Sequence, residues 1–243
     1  MADALHIETN WTKARLTGES PSGYVFLAVG SGAWGPLPIA LPSRRRRQLL
    51  GKFRGAADRL TASTAVLRAD VFRAVLRAPG GDDGTDPALP PADFDVVLLV
   101  ETTTPESALQ VSAEAVLTEL RRELPGHLSF TGSNVRRIAP VDHSRPGVFL
   151  FNYFSARDAE SNLEAWQYTA GWFQDETGLD NSTVIQPMPG AEVSYTLVNH
   201  CRWDHYIDVL PALIFTKSFH SFVLRVFKEN EVAPHPILYA LQR

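Results

Sequence analysis

Asn199 and Trp203 are the residues of this 243-residue chain whose types and spacing point most directly to chemistry. They lie in the run Tyr195-Thr196-Leu197-Val198-Asn199-His200-Cys201-Arg202-Trp203, a predicted strand whose apolar pattern is broken by Asn, His and Trp together. Side chains alternate along a strand, so Tyr195, Leu197, Asn199, Cys201 and Trp203 are expected on one face and Thr196, Val198, His200 and Arg202 on the other. Asn199 and Trp203 then stand about 13 Å apart and could line one cleft. A carboxamide holds an oxygen atom of a substrate or of dioxygen through its N–H, and an indole adds a flat apolar wall and one further donor. The structural alternative is that Asn199 satisfies backbone near a strand end and that Trp203 fills core at the start of a helix.

Other residues extend this set. Asn152 interrupts Phe149-Leu150-Phe151-Asn152-Tyr153-Phe154; it either shares the Asn199 pocket or satisfies backbone, because a buried amide needs partners. Trp166, on a predicted helix with Trp172 and Phe173, offers a surface for ligand stacking or a core filler. His200, His205, His220 and His235 form no His-x-x-x-His pair and have no acidic partner at ligand spacing, so no metal is expected. His220, within Ser218-Phe219-His220-Ser221-Phe222, is the candidate general base or haem ligand, since apolar surroundings favour its neutral form; the alternative is a partly buried helix histidine. Cys201 has no base beside it and reads as a buried structural thiol. No phosphate-binding Gly-rich loop, Gly-x-Ser-x-Gly elbow or His-Glu-x-x-His motif occurs.

The elements that must hold these residues read as one pattern met twice. Residues 1–20 lack periodicity and form an N-terminal arm. Within 21–140 a strand at 24–29 precedes a helix from about Ser43, in which Leu49, Phe53, Ala56 and Leu60 share a face. Strands at 64–76 and 94–100 follow, separated by a Gly- and Pro-rich flexible loop from Gly80 to Pro91. A helix opening at Pro105 turns Leu109, Ala113, Val116, Leu120 and Leu124 inward, and a strand at 128–138 closes the unit. After a linker at 140–146 the order restarts in 147–243, with a strand at 148–154, a helix carrying Ala159, Leu163, Trp166, Ala170, Phe173 and Thr177 and ending at Gly178, and strands at 181–186 and 192–203. A helical stretch interrupted at Pro211 and a last strand at 236–241 complete it. The predicted class is α+β: two fused ferredoxin-like βαββαβ repeats that bury their sheets against each other as a dimeric-type α+β barrel in one chain.

Charge and composition narrow the partners. The net charge of −4 argues against nucleic acid, and Arg44-Arg45-Arg46-Arg47 reads as a solvated helix start. A single cysteine fits a reducing cytoplasm, and the lack of a long apolar window argues against a membrane role.

The run Val198-Asn199-His200-Cys201-Arg202-Trp203-Asp204 resembles the Val-Asn-x-x-x-Trp strand of the antibiotic biosynthesis monooxygenase family, ferredoxin-like proteins that include cofactor-free anthrone oxygenases of aromatic polyketide pathways. Gly178-Leu179 before a strand and the Pro236-Ile237-Leu238-Tyr239 ending agree with it. The resemblance covers about residues 147–241; the first half is similar in element order alone, and its Val100-Glu101-Thr102-Thr103-Thr104-Pro105 keeps neither Asn nor Trp. The resemblance implies a barrel of paired subunits, here with the first half in place of the partner, and a cavity between sheet and helices that holds a polycyclic phenol. It assigns Asn199 and Trp203 to that cavity. A tyrosine that such oxygenases carry on the second strand falls near Val184 or Ile185, so Tyr206 or Tyr195 would substitute.

The function expected is that of an enzyme of secondary metabolism, a cofactor-independent oxygenase of an aromatic or polyketide-like small molecule. Asn199, Trp203, His220 and Tyr206 are its expected catalytic residues, and Asn152, Tyr195 and Trp166 its substrate-binding ones. The alternatives are a haem-binding enzyme, and a cofactor-free cyclase, isomerase or non-catalytic binder. The expected assembly is a monomer with an internal pseudo-dimer, or a homodimer.

Overall fold

The computed structural model describes residues 11–80 and 92–242. The flexible loop expected up to Pro91 lies, beyond Gly80, outside the described residues, as does the arm before Trp11. The first half runs β1 (Gly23–Val29), α1 (Arg44–Leu60), β2 (Val66–Arg77), β3 (Val96–Thr102), α2 (Pro105–Ser112), α3 (Ala115–Arg122) and β4 (Leu128–Ala139). The second runs β5 (Val148–Ser155), α4 (Ala159–Thr177), β6 (Ser182–Pro187), β7 (Leu197–Trp203), α5 (Tyr206–Phe215), a π-helix (Phe219–Leu224), α6 (Arg225–Glu229) and β8 (Ala233–Gln242).

The eight strands close into one antiparallel barrel in the order β1-β3-β2-β8-β5-β7-β6-β4. Within each half the strands stand in the same sequence, fourth, first, third, second. The halves join along two seams, β2 against β8 and β4 against β6. Alternation then gives every strand an inward and an outward face. Inside lie aromatic rings from both halves: Phe26 stacks on Phe130 at 5.1 Å and meets Phe151 and Tyr153 edge-on. Outside, α1 to α3 cover the first half through Phe53, Leu60, Val111 and Leu117, and α4 to α6 cover the second.

Local chemistry sets the helix ends. The Ser43 hydroxyl caps α1 by accepting from the Arg46 N–H at 3.0 Å, and Gly178 ends α4 in the left-handed region at φ 66°. Several expectations are corrected here. The stretch opening at Pro105 is two helices, and the restart at Ala115 shifts the phase. Ala108, Val111 and Leu117 are buried, whereas Leu109 is 48% exposed. Pro211 lies inside α5, and the chain breaks instead at extended Thr216, beyond which the next helical segment is bent by 70°. Arg46 is buried rather than solvated; it donates to the Ala40 and Leu41 carbonyls and lies 3.7 Å from Asp95. The arm is partly docked: Ala14 N–H donates to the Gln167 carbonyl, and Thr12 lies so close to Gly171 that no larger residue fits without displacing it.

Because the inner sheet face of each half is covered only by the other half, a separated segment 147–243 is expected to be insoluble or to self-associate. Size-exclusion chromatography of that segment checks this, and a soluble monomer is the contrary outcome.

Candidate functional site

A small apolar cavity lies between the second-half sheet and its helices. Leu150, Asn152 and Leu238 form its floor, Leu213, Val223 and Phe227 its roof, and Trp203 with Phe173 one wall. Its volume is about 30 Å³ of space for the centres of water-sized spheres. One or two waters would fill it.

Asn152 is the polar residue of this cavity. It stands in register with Asn199 on β7 and with Pro236 on β8, and its Oδ1 is buried with no hydrogen-bond donor from the protein. Proline has no N–H, so that neighbour cannot satisfy the amide oxygen. Trp203 presents its ring to the cavity, while its Nε1–H is spent on the Thr177 hydroxyl at 3.0 Å. Asn199 shares the helix-side face with Leu197, Cys201 and Trp203, as alternation requires, but it does not line the cavity. Its Oδ1 accepts from the Ser182 hydroxyl at 2.5 Å and its Nδ2 lies 3.9 Å from Cys201 Sγ. Burial pushes the Cys201 thiol well above its ordinary value.

The remaining expected site residues are dispersed. β7 starts at Leu197, so the alternation does not extend back to Tyr195, which lies with the barrel-interior aromatics, 5.5 Å from the Tyr153 ring. Trp166 is buried in the core beneath α4 and does not line the cavity. Tyr206 is 38% exposed at the first position of α5. His220 is exposed on the π-helix, outside the cavity, contrary to the apolar surroundings expected for it. The helical roof residues were not singled out from the sequence, although the apolar spacing of Leu213, Phe219, Val223 and Phe227 was there to be read.

A haem would need an axial donor, and among the described residues that line the cavity none is His, Cys, Met or Tyr. His200 lies on the other face of β7, stacked 4.2 Å from Phe151 inside the barrel. His205 is exposed, and His235 faces the Tyr195 ring at 6.1 Å. The donor set of this cavity does not fit a haem.

No family model matches the chain, and no curated protein matches its sequence. Solved structures do. The fold is similar to that of an anthrone oxidase-like protein, with a TM-score of 0.62 and 9% identity over 91% of each chain. It is also similar to a candidate monooxygenase from Fusobacterium nucleatum subsp. nucleatum, with a TM-score of 0.52 and 8% identity over 93% of each chain. A chlorite dismutase variant from Candidatus Nitrospira defluvii gives 0.49 and 13% identity over 94% of each chain. For the first two, at these identities, the likeness is one of fold, an α+β barrel.

Ser182 is fully buried, so Asn199→Ala would strand its hydroxyl. A loss of about 1–3 kcal/mol is expected, read by thermal or urea unfolding. In the native protein Cys201 should resist thiol reagents that modify it at once after denaturation.

Proposed function

We propose that this chain is a small-molecule enzyme of secondary metabolism that takes an aromatic or polyketide-like substrate into the second-half cavity and oxygenates it without a cofactor. The observation that carries this reading is the partnerless Asn152 Oδ1 in an otherwise apolar cavity with an indole wall. A buried amide oxygen left without a donor costs about 1–3 kcal/mol, a sacrifice that a ligand hydroxyl would reverse. A hydroxylated aromatic matches both features: its O–H donates to Asn152, and its ring lies against Trp203.

The chemistry follows from the substrate as much as from the protein. An acidic phenolic substrate loses a proton, and the resulting carbanion reduces dioxygen. A ring CH₂ becomes C=O, one oxygen atom enters the product and the other leaves as water, so the substrate supplies all four electrons. Turned over about its terminal torsion, the Asn152 carboxamide gives its N–H to the developing oxygen anion. Among the described residues no ionisable side chain lines the cavity. The proton therefore departs toward solvent, and neither His220 nor Tyr206 is assigned as base. The fused ring system is larger than the cavity as it stands, so entry requires the roof to swing outward, with extended Thr216 between α5 and the π-helix as its hinge. We further propose that the two halves are tandem ferredoxin-like repeats, a reading supported by their matching element and strand orders.

Asn152→Leu separates function from packing. Replacing an amide whose oxygen has no donor from the protein with an apolar group of similar size should raise stability by on the order of 1 kcal/mol. The same change should lower oxygen uptake with a hydroxyanthrone more than tenfold. Unchanged uptake in the stabilised variant would defeat this reading. Substrate turnover without oxygen uptake would favour the cyclase or isomerase class instead.

A further inference from the structure

Asp70, His143 and His200 form a hydrogen-bonded chain through the barrel that the cavity does not use. His143 Nδ1 lies 2.6 Å from Asp70 Oδ2, His143 Nε2 lies 2.8 Å from His200 Nε2, and His200 Nδ1 lies 3.1 Å from the Leu150 carbonyl oxygen. The three side chains come from β2 in the first half, from the connection between halves, and from β7 in the second. The rings are packed edge-on and face-on among Phe72, Phe149 and Phe151, with His143 8% and His200 1% exposed. Asp70 is the end that meets solvent, at a surface cleft it shares with His143.

Counting protons along this chain fixes its state. The Leu150 carbonyl can only accept, so His200 Nδ1 must donate; burial holds the His200 ring in its neutral form, which leaves its Nε2 as an acceptor. His143 Nε2 must therefore donate to it. The Asp70 carboxylate also only accepts, so His143 Nδ1 must donate as well. Three complete hydrogen bonds thus need either a doubly protonated His143 beside the Asp70 carboxylate or a protonated Asp70 that donates to a neutral His143. Both forms hold one proton more than a carboxylate with two neutral imidazoles. When that proton leaves, one of the three contacts sets two lone pairs against each other.

We propose that Asp70, His143 and His200 together bind a single proton and act as a pH-responsive tie between the two halves of the barrel, complete when the proton is bound and opened at one contact when it is released. Among the described residues, the charged groups around it are few. Arg68 Nε lies 3.9 Å from Asp70 Oδ2 and is held 2.7 Å from Glu101. Arg54 and Asp58 of α1 share the cleft with Asp70, while Asp142 is engaged by Ser144 and Arg145. Arg202 of β7 lies over Phe149 and is paired with Asp204. Burial, the largest influence, lowers both imidazoles below their ordinary value, and the Asp70 carboxylate opposes this at His143. Proton uptake is therefore expected as pH falls below the ordinary imidazole range. Leu150 gives its carbonyl to the chain and its side chain to the cavity floor, so the tie ends at the wall of the proposed active site.

Histidine side-chain ¹⁵N NMR of the full-length protein between pH 4.5 and 8 tests this. On acidification both rings should respond with one common midpoint, ending with a proton on His143 Nε2 and an Nδ1-protonated, neutral His200. In Asp70→Asn, which keeps an acceptor but removes the negative charge, the proton affinity should fall at least tenfold. His200→Phe, which preserves the aromatic stack, should likewise weaken proton binding at His143. Separate midpoints for the two rings in the wild-type protein, or no titration across this range, would overturn the proposal even if neither variant folds. So would an unchanged His143 midpoint in a folded Asp70→Asn.

Discussion

Closure of the eight-stranded barrel is the constraint on which the rest of the molecule depends. Each half presents a four-stranded sheet, and the inner faces carry Phe26 and Phe72 in the first half and Phe151, Tyr153 and Tyr239 in the second, all fully buried. Burying such rings releases roughly 1.5–3 kcal/mol apiece relative to exposure, and only the opposite half can cover them. Antiparallel pairing at β2–β8 and β4–β6 also removes both open edges, which would otherwise offer unpaired backbone groups to other chains. The helices must then pack on the outside, because the interior is filled.

That arrangement decides where a ligand can go. The interior has been committed to aromatic packing and to the Asp70, His143 and His200 chain, so the apolar cavity forms on the outer face, under α5, the π-helix and α6. The first half has a comparable outer face, covered by α1 to α3 through a mostly aliphatic cluster around Phe53. The second half differs in its roof. Thr216 breaks it, and the π-helix that follows is a wider turn of the kind often found at functional sites. Asn152 lies beneath that roof with an unanswered acceptor. A fully satisfied core would have placed an apolar residue there.

Much of this was legible in the sequence, and the failures have physical causes. Period-two alternation correctly placed Asn199 with Trp203, because β7 pairs with β5 in unbroken register from Leu197 to Trp203. It failed at Tyr195, since the ladder begins only at Leu197 and the preceding bend resets which way the side chain points. Helical periodicity found α1 and α4 but ran through the break at Ala113 and Glu114, where no Gly or Pro marks the phase change. Pro211 suggested a break that α5 tolerates. The second-half histidines His200, His205, His220 and His235, which share no spacing pattern, diverge to four different surroundings. The Asp70, His143 and His200 chain could not be read at all, because its members are 73 and 57 positions apart and meet only once the barrel closes.

The most direct measurement is a crystal structure of the protein soaked with a hydroxylated anthrone under anaerobic conditions. The ligand should lie between the second-half sheet and its helices, with a hydroxyl within hydrogen-bond distance of the Asn152 amide, a ring against Trp203, and the segment beyond Thr216 displaced outward. Ligand bound elsewhere on the chain, or a cavity left closed with Asn152 still unpartnered at saturating ligand, would contradict the assignment of this cavity as the active site.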